Sequence, residues 1–179
     1  MLQITVPETE LYDEVNKEFI TVKEHMLQLE HSLVSISKWE SKWCIPFLDN
    51  DGLTDEQTID YIRCMTLNKN VDPNVYKVLT EENIKDVSNY IGAPMTATTF
   101  RNQPHESHHE IVTSELVYYW MIALNIPPEY QKWHIKRLLT LIQVCNIKNS
   151  PPKKRSRGQM IEERRALNAA RKKQFNTKG

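Results

Sequence analysis

His109-Glu110-Ile111-Val112-Thr113-Ser114-Glu115-Leu116-Val117-Tyr118-Tyr119-Trp120-Met121-Ile122-Ala123-Leu124 opens the stretch on which the fold reading turns, and it runs on to Lys148. Asn125-Ile126-Pro127-Pro128 splits it into two helices, because neither proline can sit inside a hydrogen-bonded helix. Ser107-His108-His109-Glu110 supplies a capping box for the first helix. Val112, Leu116, Tyr119, Trp120, Ala123 and Leu124 then cover most of its circumference, as expected of a central helix. In the second helix, Ile135, Leu138, Leu139, Ile142 and Cys145 form one stripe, with Lys132, Lys136 and Arg137 outside it. The short joint predicts neighbouring, antiparallel or sharply angled helices. Tyr118, Tyr119, Trp120 and Trp133 are expected in the core.

Upstream pieces are smaller. Leu2-Gln3-Ile4-Thr5-Val6 alternates apolar and polar residues and reads as a strand ended by Pro7. Phe19-Ile20-Thr21-Val22 reads as its hairpin partner, with Tyr12 to Lys17 as loop between them. Met26 to Cys44 is ambiguous in its first half, where Leu27, Leu29, Leu33 and Ser35 could continue a strand, but Leu33, Ile36, Trp39 and Trp43 recur at helical spacing, giving a helix from about Ser32 to Trp43. Thr54-Asp55-Glu56-Gln57 is a capping box ahead of Ile59, Ile62 and Met65. Asp72-Pro73 opens another short helix, and Thr80 caps a third carrying Ile84, Val87 and Ile91 before Gly92-Ala93-Pro94. The fold expected is mainly α: a compact multi-helix domain over residues 1–149 with a small N-terminal antiparallel β element, followed by a flexible basic tail over 150–179.

At 179 residues with four glycines, the composition is that of one helix-rich domain. Cys44, Cys64 and Cys145 form no paired motif and suit a reducing compartment. No apolar run is long enough to span a bilayer. The net charge of zero conceals a division. From Pro151 onward ten cations (Lys153, Lys154, Arg155, Arg157, Arg164, Arg165, Arg171, Lys172, Lys173 and Lys178) face only Glu162 and Glu163, so the tail carries +8 and the body −8. Gln159 to Phe175 is rich in helix formers, but its apolar stripe is thin, which predicts a disordered or nascent-helical arm. Such an arm can fold back on the acidic body, bind nucleic-acid phosphates or dock an acidic protein partner. With Phe175 as its lone aromatic and an acidic body behind it, the protein partner is the stronger reading.

Motifs for chemistry fail on context. His105-Glu106-Ser107-His108-His109 matches HExxH, yet Pro104 precedes it and the expected helix starts too late for His105 and His109 to share a face. Asp49-Asn50-Asp51-Gly52 is a turn, since a calcium loop aligned on Gly52 would begin at Phe47 and end at Thr58. No metal, cofactor or catalytic residue is expected. Trp39 and Trp43, one turn apart, read as core or as interface anchors.

Ser35-Ile36-Ser37-Lys38-Trp39-Glu40-Ser41-Lys42-Trp43, Tyr61-Ile62-Arg63-Cys64-Met65-Thr66, Ala93-Pro94-Met95-Thr96-Ala97-Thr98, Ile147-Lys148-Asn149-Ser150-Pro151-Pro152 and Ala166-Leu167-Asn168-Ala169-Ala170-Arg171 resemble a family of tailed-phage proteins. The family occurs in siphophages and prophages of gut Firmicutes, and the likeness runs from about Leu2 to Gly179. Its members are regarded as tail assembly chaperones. The resemblance implies a non-catalytic helical protein in the cytoplasm of the bacterial host, absent from the mature virion. It would coat the tape-measure protein while tail-tube subunits polymerise around it, and self-association is compatible with that role. Trp39 and Trp43 are then candidate anchors, and Lys153 to Lys173 the flexible arm. The alternative is a nucleic-acid-binding phage regulatory or packaging protein that uses the same tail.

Overall fold

A computed structural model of the chain describes residues 1–13, 17–50, 52–100, 111–150 and 157–175. The chain divides into a body, Met1–Ile147, and a C-terminal unit, Lys148–Gly179. The body is mainly α with a small antiparallel β element.

Four short strands come first: β1 (Leu2–Val6), β2 (Thr9–Asp13), β3 (Glu18–Val22) and β4 (His25–Leu29). The expected pairing of Leu2–Val6 with Phe19–Val22 is wrong. β1 pairs with β4, Ile4 opposite Leu27, whereas β3 pairs with β2, Leu11 opposite Ile20. Tyr12, assigned to a loop by its sequence, lies in β2. The physical reason is burial. Ile4 and Val6 need an apolar partner, and Leu27 and Leu29 offer one with no exposed surface. β2 and β3 close locally over a short connection and turn Val22 to the core and Tyr12 and Phe19 outward.

Helix α1 (Leu33–Trp43) starts at Ser32, whose hydroxyl accepts from the Ser35 N–H while the Ser35 hydroxyl accepts from the Ser32 N–H. It ends at Cys44, which adopts a left-handed conformation (φ 54°) ahead of Ile45-Pro46. Helix α2 (Asp55–Met65) uses the Thr54/Gln57 capping box, and α3 (Glu81–Gly92) the cap at Thr80. Asp72-Pro73 opens a 3-10 turn, Pro73–Lys77, instead of an α-helix. The Asn83 amide reaches the Thr5 carbonyl at 3.1 Å and ties α3 to β1.

The leading helix of the long apolar stretch, α4 (Ser114–Ala123), begins later than expected. Residues 111–113 are not helical and Thr113 is the N-cap, its hydroxyl accepting from the Leu116 N–H. The expected cap at 107–110 and the HExxH match lie outside the described residues. A 3-10 turn, Pro128–Lys132, leads into α5 (Ile135–Asn149), whose stripe buries Ile135, Leu138 and Ile142.

The centre of the body is α1, not the helix at 114–123. Leu33, Ile36 and Trp39 are wholly buried, and α1 packs on α2, on α4 and on the turn at 128–132. α4 is apolar nearly all round but buries only Ser114, Val117 and Met121, so its opposite face is open. Tyr119 is therefore exposed, and Tyr118, Trp120 and Trp133 are half-buried; none of the four is deep core.

Candidate functional site

The segment Trp39-Glu40-Ser41-Lys42-Trp43 shows what each of its residues does in the fold. Trp39, a candidate anchor from the sequence, is wholly buried and donates its indole N–H to the Gln57 carbonyl at 3.1 Å. Its ring packs edge-on to Phe47 at 5.2 Å, and Phe47 lies 4.0 Å from Tyr61. No partner reaches it in this fold. Trp43 stacks on Trp39 at 6.1 Å and is half-buried. Its indole N–H donates to Asp60 Oδ2 at 2.9 Å, while the Lys42 ammonium sits 2.6 Å from Asp60 Oδ1. The pair was read from the sequence as core or interface; burial gives Trp39 to the core and leaves Trp43 an exposed edge.

Asp60 is nearly buried, which by itself raises its pKa. The hydrogen bonds from Lys42 and Trp43 and the charges of Lys42 and Arg63 outweigh that and hold it below its ordinary value. Replacing it by Ala is expected to cost about 2 kcal/mol, since the half-exposed Lys42 contributes little and the stranded Trp43 N–H most. Urea unfolding of Asp60→Ala checks this, and the difference from wild type should shrink as pH falls below the usual carboxylate range. The direction follows from a depressed folded pKa, whose contribution is present above the unfolded value and lost below it.

Glu40 makes the third link. Its buried carboxylate accepts from the Phe47 N–H and the Ser114 N–H, each at 2.8 Å, so one side chain of α1 holds the following loop and the first residue of α4. Asp49 accepts from the Val112 N–H beside it. Two anions thus sit at an N-terminal helix end, where the helix dipole and free N–H groups favour negative charge. Nothing in the sequence marked Glu40 as buried.

A second polar cluster lies inside the body. His31 Nδ1 meets the Tyr61 hydroxyl, the Tyr61 hydroxyl lies 3.4 Å from Ser35 Oγ, and the rings of His31 and His134 meet edge to face at 4.9 Å. Burial, then the nearby His134 and Lys136, push the His31 pKa down to about 3, and burial pushes the Tyr61 hydroxyl up. The geometry has a nucleophile and an imidazole in it but no open face, since Ser35, Tyr61, His31 and His134 are all buried. It cross-links β4, α1, α2 and the start of α5. Among the described residues no three His, Cys, Asp or Glu side chains converge as a metal site, and no described helix is long and apolar enough to cross a membrane.

What the body does present is apolar surface. Tyr119 (63% exposed) and Ile122 (76%) stand on the outer face of α4, with Ile111 just ahead of it. On the β2–β3 hairpin, Tyr12 and Phe19 (71%) pair across the strands at 5.1 Å, facing outward. The sequence carried a signal for the first of these, since a helix apolar all round either is enclosed or leaves a face open. In the C-terminal unit, α6 (Arg157–Phe175) is a continuous helix of 19 residues, longer than the nascent structure expected, because Ala, Leu, Arg, Lys and Gln carry it. Arg164, Arg165, Arg171, Lys172 and Lys173 are exposed on it; Arg157 is its first residue, and Lys153, Lys154 and Arg155 lie outside the described residues. No protein-family model, curated protein or solved structure matches the chain.

Proposed function

We propose that this protein works by binding, as a phage tail assembly chaperone that shields the tape-measure protein and tail-tube subunits before they assemble, without catalysing a reaction or using a cofactor. The family resemblance suggests the role. The observation that carries the binding part is the open face of α4. Contiguous apolar side chains on a folded surface mark an interaction site, and Tyr is a common anchor at such sites. A client with a long apolar-striped helix would find there the surface it lacks in water.

Co-expression with the tape-measure protein of the same genome is the test. Wild-type chain is expected to raise the soluble fraction of the client several-fold. The double variant Tyr119→Ser, Ile122→Ser should remove most of that gain while its own unfolding free energy stays within about 0.5 kcal/mol of wild type, as exposed positions allow. Unchanged client solubility in the presence of wild type would sink the reading.

The second reading, a nucleic-acid-binding phage protein, is favoured by one observation: α6 displays its cations to solvent. It requires a salt-dependent shift of duplex DNA that disappears when residues 153–179 are deleted.

A further inference from the structure

On a helix turning about 100° per residue, seven exposed side chains of α6 fall in three neighbouring rows. Ile161, Asn168 and Phe175 form the middle row. Arg164 and Arg171 flank it on one side, and Arg165 and Lys172 on the other. All seven fall within an arc of about 120°, and Leu167 lies just outside it. Ile161 and Phe175 are 45% and 68% exposed, so the apolar row is bare and bracketed by cations.

We propose that this face of α6 pairs lengthwise with an acidic amphipathic α-helix of a partner protein. Four arguments select that occupant. Ile161 and Phe175 are exposed on one side of the helix and call for an apolar cover. The two cationic rows call for carboxylates at the facing positions. A second copy of α6 cannot supply them, because Arg164 and Arg171 would meet their own equivalents, and like charges along such a seam repel. A nucleic-acid duplex supplies charge but no apolar row to cover Ile161 and Phe175, and its backbone would hold those two side chains against phosphate. The pairing is independent of the tail-assembly reading and stands or falls on its own probe.

The probe is a labelled synthetic three-heptad helix with Leu in the central row and Glu on both flanks, titrated with the full chain by fluorescence anisotropy. A control peptide carries Ser for Leu, and a random duplex DNA of similar charge is measured in parallel. The acidic Leu peptide is expected to bind about tenfold more tightly than its Ser control. Ile161→Ala with Phe175→Ala should erase that tenfold difference, and Arg164→Gln with Arg171→Gln should weaken both peptides. Each variant should leave the thermal transition of the chain in place, because all four side chains are exposed. Equal affinity for the two peptides, tighter binding of the duplex, or no binding of either peptide would overturn the proposal; the second result would make α6 a nucleic-acid arm.

Discussion

Glu40→Ala is expected to destabilise the protein by roughly 3–5 kcal/mol, more than any other single polar substitution in the body. The carboxylate is buried, and its two oxygens are each spent on a backbone N–H, that of Phe47 and that of Ser114. Ser114 is wholly enclosed, so its N–H would find no water when the acceptor is gone. Each stranded donor costs about 1–3 kcal/mol, and bonds to a charged acceptor lie at the strong end. For a domain of this size the loss corresponds to a drop in Tm of about 10–15 °C. Glu40→Gln sharpens the test. An amide has one oxygen to offer and turns its NH₂ toward the second N–H, so Gln should recover less than half of the loss. Hydrogen exchange should also quicken at the amides of Phe47 and Ser114, while those of Ile62 and Tyr61 follow the global change. A Gln variant melting within about 2 °C of wild type would show that the two bonds carry little, against the usual cost of such acceptors.

That link explains where the sequence was legible and where it was not. Helices α1, α2 and α3 start where Ser32, Thr54 and Thr80 stand, because a cap is a local device: a hydroxyl and an N–H three residues apart. The strand pairing was not legible, since Ile4 finds Leu27 across 23 residues and the alternation in Leu2–Val6 says only that one face is apolar. Helix α4 starts behind Thr113. The deciding contact is Glu40, 74 positions away, whose grip on Ser114 fixes where the first turn can form. The same distance misplaced the centre of the body. Density of apolar residues pointed to 109–148, but a side chain is buried by its neighbours in space, and Trp39 has Phe47 and Tyr61 around it while Tyr119 has solvent. The candidate surface is legible in α6, as composition, and ambiguous in α4, where an all-round apolar helix fits burial and an open face equally.

Acid is expected to destabilise the protein before its carboxylates protonate, through His31 and His134. Both imidazoles are neutral in the fold. His134 Nε2 lies 3.2 Å from the Tyr90 carbonyl and Nδ1 accepts from the Lys136 N–H, which fixes an Nε2–H tautomer; His31 Nδ1 shares a hydrogen bond with the Tyr61 hydroxyl. A proton on His31 would set a buried cation beside His134 and Lys136. Burial, then those two neighbours, hold the folded pKa at about 3 against an unfolded value of 6.5. Burial lowers His134 as well, resisted by the Tyr90 carbonyl and Glu30 and assisted by Lys136. The folded pKa values lie below the unfolded ones, so the unfolded chain binds the extra protons. Stability is then full above the unfolded pKa and falls as pH drops from 6.5 toward 3, at up to about 1.4 kcal/mol per pH unit for His31. Between pH 7 and pH 5 the body should lose about 2 kcal/mol from this side chain alone, before Asp60, whose pKa is depressed, begins to contribute. His31→Asn keeps an acceptor near the Nδ1 position and cannot titrate, so it should be weaker at pH 7 and visibly flatter between pH 7 and pH 5. Urea midpoints across that range measure the slope, and the His31 ring carbon shifts should stay those of a neutral imidazole at pH 5. An Asn variant with the slope of wild type would move the acid sensitivity to some other group and leave the His31–Tyr61 contact as packing alone.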